Sequence, residues 1–431
     1  MRASPRTSSP PTADPVVTTN QPGAPLARRL GLVDATAIGL GSMLGAGVFA
    51  VFAPAAAAAG SGLLFALVIA GFIAYCNAAS SAQLAAVHPA SGGTYLYGRE
   101  RLGHWWGFTA GWGFVVGKTA SCAAMALTFA AYAAPGFEKP VAALAVAVLA
   151  AVNYIGITRT AALTRVLLVV VLVVLVGFTV LTYPATAGGG THAWLPRGPL
   201  GVLQASGLLF FAFAGYARIA TLGEEVRDPA RTIPRAILLA LACTAVVYAV
   251  VGLSLLLVLG PHQLATSTAP LADALVAAGH APWTPAVRFG AAAASLGALL
   301  ALIAGVGRTG LAMAREGDLP RQLAAVHPRF QVPHHAELTL AVVVIALVLS
   351  ADLRGVIGFS SFGVLVYYAI ANASAFTQPR AERRWPKALN VAGLAGCLLL
   401  AATLPVTSVL VGLGVLALGL LGRLFSRASS G

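Results

Sequence analysis

"GLGSMLGAGVFAVF" (residues 39–52) is apolar enough to cross a bilayer, yet four of its first nine residues are glycine. Glycine disfavours a helix interior by about 1 kcal/mol relative to alanine. Gly41, Gly45 and Gly47 around Ser42 therefore read in one of two ways. Either Gly41 and Gly45, four apart, pack a helix closely against a neighbour, or the spanning helix is interrupted.

The surrounding chain is membrane protein throughout. Of 431 residues 58% are hydrophobic and only 9% charged, with a mean hydropathy of +0.85, far from the soluble range. A hydrocarbon core ~30 Å thick takes about 20 apolar residues of helix, and backbone groups there are satisfied only in helices or closed barrels. Runs such as "VLLVVVLVVLVGFTVL" (166–181) do not alternate as barrel strands would. Twelve spans are predicted, at 32–52, 62–87, 104–134, 140–156, 163–182, 201–222, 233–259, 286–313, 336–351, 355–376, 388–404 and 406–422. Residues 1–26, rich in Pro, Ser and Thr, read as a disordered cytoplasmic tail, and 426–431 as a second short tail.

The net charge of +14 follows the same frame. With the amino terminus in the cytoplasm, 20 of the 27 Lys and Arg residues fall on the cytoplasmic side. Lys139, Arg197, Arg288 and Arg354 fall outside, and Lys118, Arg218 and Arg308 lie within spans. That asymmetry places both termini in the cytoplasm and assigns the charge to topology in a cytoplasmic membrane, not to nucleic-acid binding. Cys76, Cys122, Cys243 and Cys397 lie in separate spans and read as small core residues. The histidines lie in loops or near span ends, which leaves no catalytic cluster for an enzyme and no metal site.

A second glycine decides the opening question. The sixth span carries "LLFFAFAGYARIATLGEEV", with Gly215 and Tyr216 mid-membrane, five spans after the first. Interruptions at corresponding positions of two five-helix halves point to a transporter with inverted repeats and a site at the midplane. Breaking a helix there frees N–H groups, which suit a carboxylate, and carbonyls, which suit an ammonium. Two opposed breaks therefore suit the zwitterionic head of an amino acid.

Four ordered motifs carry a family resemblance over about residues 30–425: "GLGSMLGAGVF", "PASGGTYLYGRERLG" (89–103), "FFAFAGYARIATLGEEVRDPARTIPRAI" (210–237) and "GRTGLAMAREGDLP" (307–320). Together they resemble the amino acid/polyamine/organocation transporter superfamily, most of all its cationic amino acid branch. The resemblance implies an all-α polytopic protein of twelve transmembrane helices. Its five-plus-five inverted-repeat, LeuT-like core (about 32–182 and 201–376) has helices one and six broken, and helices eleven and twelve follow. It puts a substrate carboxylate on the amides around Gly45, Ala46 and Gly47. The amine goes to carbonyls near Leu40, Gly41, Phe211, Ala212 and Ala214, with Phe213 and Tyr216 flanking the side chain, and with Glu224 and Glu225 at an inward gate or paired with Arg227 or Arg231. Ser42 belongs to the same site, and Thr109, Ser121 and Ser295 are candidate supporting polar groups.

Two departures bear on substrate. Many relatives carry a lysine in the fifth span, where this chain has Val171; Lys118 instead lies ~22 Å along the third span, near mid-membrane. An ionisable group at that depth is a candidate functional residue, here for proton coupling. Arg218 stands one turn beyond Gly215, and no acidic residue is deep in a span. Fixed cations without acids favour a neutral or acidic amino acid over a cationic one. The expected partners are thus a small-molecule amino acid and the bilayer, with protons a candidate coupling ion, no cofactor and no nucleic acid; oligomeric state stays open. The alternatives are a cationic amino acid or polyamine transporter, and a non-transporting sensor or channel.

Overall fold

The computed structural model describes residues 30–45, 47–88, 92–156, 161–186, 197–220 and 225–428. In chain order its helices are α1 (Leu32–Met43), α2 (Gly47–Ala50), α3 (Phe52–Ala59), α4 (Leu63–Val87), α5 (Thr94–Leu102), α6 (His104–Ala133), α7 (Glu138–Tyr154), α8 (Ala161–Thr186) and α9 (Gly198–Phe213). There follow α10 (Ala217–Ala220), α11 (Pro229–Thr266), α12 (Pro270–Ala277), α13 (Thr284–Arg315), α14 (His334–Ser350), α15 (Leu353–Phe376), α16 (Lys387–Thr403) and α17 (Val406–Ala428). Among the described residues the β structure is one isolated parallel bridge, Leu30 to Val226.

Nine helical stretches among the described residues are long and apolar enough to cross a membrane. The expected spans 140–156, 336–351 and 388–404 fall on α7, α14 and α16, each of 17 residues. At 1.5 Å per residue such a helix measures ~25 Å, a little under the hydrocarbon thickness. α11 is two helices: Gly260, at φ 67°, ends the first just before Pro261, where the span 233–259 was expected to stop. α8 shows why the bundle belongs in lipid. Val166, Val169, Val173, Val176 and Val180 form an exposed stripe along it, while Val171 and Leu175 are buried.

Small residues let the inner helices approach to backbone contact. A Cβ on Gly363 of α15 would fall 2.7 Å from the Gly113 carbonyl oxygen and 2.9 Å from Gly117 Cα, both on α6. One turn on, Ser121 Oγ lies 2.7 Å from Ser360 Oγ. This small-xxx-small seam fixes the rotation of α6 and thereby aims Lys118. Buried amides join α4, α15 and α16: Asn372 donates to Asn77 (2.6 Å), Ser80 to Asn372 (2.7 Å) and Asn390 to Ser80 (2.7 Å).

Charged groups tie α5, α13 and α17 at one end of the bundle. Asp318, just past α13, accepts from Tyr95 Oη at 2.8 Å, pairs with Arg423 Nη2 of α17 at 2.8 Å and faces Arg99 at 3.8 Å. Arg423 also lies over the Phe108 and Trp105 rings and donates to the His104 carbonyl. Both partners of the Asp318–Arg423 pair are almost fully buried, so removing one leaves a buried charge unmatched. Asp318→Asn is expected to destabilise the protein by about 3–5 kcal/mol, read as a lower melting temperature in detergent; an unchanged melting curve would contradict this. The cysteine expectation needs one correction. Cys76, Cys122 and Cys397 are buried, but Cys243 lies exposed on the outward face of α11, where an apolar lipid contact suits a thiol as well as a core does.

Candidate substrate site at the helix breaks

Regular α-helix breaks at both glycine-marked positions, at the first by non-helical residues Leu44 and Gly45 and at the second by tightening into one 3₁₀ turn, and the two breaks touch. α1 ends at Met43, with the Leu44 N–H closing on the Leu40 carbonyl at 2.7 Å, and helix resumes at Gly47. α9 ends at Phe213, and a single 3₁₀ turn, Ala214–Tyr216, leads into α10. Gly215 lies against the Ser42–Met43 peptide: a Cβ there would fall 2.6 Å from the Ser42 carbonyl carbon and oxygen and 2.7 Å from the Met43 nitrogen. Only a residue without a side chain permits that approach. Outside the breaks, a parallel bridge joins the stretches flanking the two broken helices: Leu30 N–H donates to the Glu225 carbonyl (3.0 Å), and Arg227 N–H to that of Leu30 (2.9 Å).

Carbonyls at the breaks accept hydrogen bonds from side chains. Tyr248 Oη of α11 donates to the Met43 carbonyl at 2.6 Å and also lies 3.0 Å from the Ala212 carbonyl. The Ala214 carbonyl takes Lys118 Nζ from α6 and Tyr368 Oη from α15, both at 3.3 Å. Tyr132 Oη reaches the Phe49 carbonyl at 3.1 Å. These groups are buried: Phe213, Tyr216, Tyr248 and Tyr368 have no exposed surface, and Lys118 is 7% exposed. Phe213 packs edge-on against Tyr248 with ring centroids 5.1 Å apart, and Tyr216 lies 5.1 Å from Tyr368.

The expected site residues divide accordingly. Gly45 packs on Ala298, and Gly47 on Ala212 and the Tyr248 hydroxyl. Ala212, Phe213, Ala214 and Tyr216 surround the second break, and Lys118 joins them. The Leu40 carbonyl stays in its helix, the Phe211 carbonyl accepts from Ala214 N–H, and Ser42 Oγ bonds back to the Ile38 carbonyl at 2.8 Å. Gly41 faces Thr164. Ala46 and Glu224 lie outside the described residues. Arg231 pairs with Asp228 at 3.9 Å, while Glu225 and Arg308 both act electrostatically on Arg218. Arg218 turns toward α13, its Nη1 3.9 Å from the Cβ position of Gly305. That is two turns along α13 from the Ala298 that packs on Gly45. Thr109 Oγ1 bonds back to the Trp105 carbonyl near the start of α6, and Ser121 and Ser295 are buried in α6 and α13.

Val171 lines a cleft with Gly41, Leu44, Gly45, Thr164 and Ala298 beside the first break. The one buried lysine thus serves the second break rather than the first. Tyr132, Tyr248 and Tyr368 were missed from sequence. The signal that could have found them is general: a phenol buried mid-span needs an acceptor, and broken helices supply spare carbonyls.

The description "Amino acid permease" fits a sequence pattern that matches residues 30–418. The chain belongs to the amino acid permease family. The permease is 60% identical over 402 residues to an uncharacterized transporter of Mycobacterium tuberculosis, covering 91% of this chain and 90% of the relative. It is 26% identical to the branched-chain amino acid permease of Bacillus subtilis over 80% of each chain. Human cationic amino acid transporter 4 is 29% identical over 81% of the permease and 59% of that relative. With its apolar helices, membership makes this an integral membrane transporter.

Proposed function

We propose that the permease moves a neutral or acidic amino acid across the cytoplasmic membrane by alternating access, coupled to protons or to exchange. The observation that carries this reading is the contact of the two helix breaks at Gly215 and the Ser42–Met43 peptide, which brings the backbone groups of both breaks together. The carboxylate would meet amides at Gly45, Ala46 and Gly47, and the ammonium the carbonyls of the second break, with Phe213 and Tyr216 bordering the side chain. Twelve crossings in two inverted five-helix repeats, both termini cytoplasmic, fit the lysine and arginine distribution. Rocking would then move the broken helices, α4 and the first part of α11 against the rest, with Glu224 and Glu225 at the inward gate.

The substrate's charge follows from Lys118. Its ammonium already sits on the Ala214 carbonyl, and no described carboxylate pairs with it. A second fixed positive charge, from a cationic side chain, would repel it at low dielectric. A cationic substrate is the second reading, favoured by the similarity to human cationic amino acid transporter 4. Uptake of radiolabelled leucine, glutamate and arginine into proteoliposomes, with and without an inward proton gradient, separates the two. Gradient-stimulated uptake of leucine or glutamate is expected. Arginine as the best substrate would overturn the charge argument while leaving transport intact.

A further inference from the structure

A helix broken at membrane depth leaves carbonyl oxygens that no water reaches once the site closes, and burying an unmet acceptor is strongly unfavourable. In a carrier where only the substrate's ammonium could meet those oxygens, closing without substrate would be blocked. Such a carrier would be confined to exchange. Here the chain supplies its own donors. Tyr248 joins Met43 on one broken helix to Ala212 on the other, and Lys118 and Tyr368 join the second break to α6 and α15 through Ala214. We infer that Tyr248, Lys118 and Tyr368 are stand-in donors that let the unloaded permease close and reorient, so that it carries out net transport and not obligatory exchange.

This rests on the transporter reading and deepens it. Tyr248 is the clearest of the three, because one hydroxyl spans both breaks while its ring is held between Phe213 and Phe52. A substrate ammonium arriving at those carbonyls would displace the hydroxyl and take over its hydrogen bonds. The loaded and unloaded sites would then close by the same contacts. Tyr248 is a positioning residue in this scheme: it holds two backbone segments together and need not touch the amino acid.

The test compares uptake of radiolabelled leucine or glutamate, whichever the panel above selects, into vesicles without internal substrate and into vesicles preloaded with the same compound. The wild type is expected to fill both. Tyr248→Phe keeps the ring and removes the donor. It should slow uptake into substrate-free vesicles at least about tenfold more than exchange, the factor that losing one hydrogen bond to a buried acceptor implies. Tyr368→Phe should shift the ratio in the same direction and serves as the second variant if the first does not fold. A residue that only supports the fold would lower both rates by one factor, and that result would overturn the inference. So would wild-type uptake that needs internal substrate, although the transporter reading would survive it. Wild-type protein showing neither flux would sink both.

Discussion

Alanine at position 215 is expected to abolish uptake. Its Cβ would fall 2.6 Å from the Ser42 carbonyl carbon and oxygen and 2.7 Å from the Met43 nitrogen, and all three are backbone atoms within an interrupted helix. Extra methylenes in a packed core cost about 1–3 kcal/mol where side chains can yield. Nothing here is the flexible end of a side chain, so the two breaks must separate. A displacement of about 1 Å at a preorganised site is enough for roughly 100-fold loss of function, and initial uptake per reconstituted protein should fall by at least that scale. Gly177→Ala on α8 is the matched control. No atom lies within 4 Å of its Cβ position, and alanine improves a helix interior by about 1 kcal/mol. Wild-type flux in Gly215→Ala would mean that the breaks are not where substrate binds.

Lys118→Met is the second large effect, and its value lies in two readouts expected to move in opposite directions. The methionine side chain fills much the same space without a charge. Burying a charge without a counter-charge is costly, so the variant should melt no lower than the wild type. Proton-driven accumulation, by contrast, should collapse to the level seen without a gradient. The Ala214 carbonyl would still hold Tyr368, but the group proposed to bind and release a proton would be gone. Retained gradient stimulation in Lys118→Met would remove Lys118 from the coupling scheme and leave it a structural cation. A variant that melts lower and transports nothing would mean that the ammonium is needed for packing.

The difference between what was legible in the sequence and what was not has a physical pattern. Gly41, Gly45, Gly47 and Gly215 could be read because glycine in a spanning helix has few uses, and the helices do stop beside them. Lys118 could be read because a charge in hydrocarbon calls for a partner, although its partner, the Ala214 carbonyl on another helix, could not be named. Tyr248 and Tyr368 look like any aromatic residues in an apolar stretch. Their roles depend on the rotation of α11 and α15 against the breaks, which hydropathy does not encode. Arg423 counted only as one positive charge near a terminus, yet it is buried against Asp318 more than a hundred residues earlier. Cys243 failed for the converse reason: in a lipid-facing helix, apolar sequence says nothing about which face is inside. Arg218 was placed beside the second break by sequence distance, but its guanidinium extends to α13, because a long side chain reaches a full turn or more from its own backbone.

Countertransport tests the central claim, a carrier with one enclosed site exposed alternately to each side, most directly. Vesicles preloaded with a high concentration of the preferred unlabelled amino acid are diluted into a trace of the labelled compound, with no proton gradient. The account predicts that label rises transiently above its equilibrium level and then declines, with saturation by external substrate, because each labelled molecule entering is exchanged for an unlabelled one leaving through the same site. Label that climbs only to equilibrium, at a rate indifferent to preloading, would contradict the account and describe a channel.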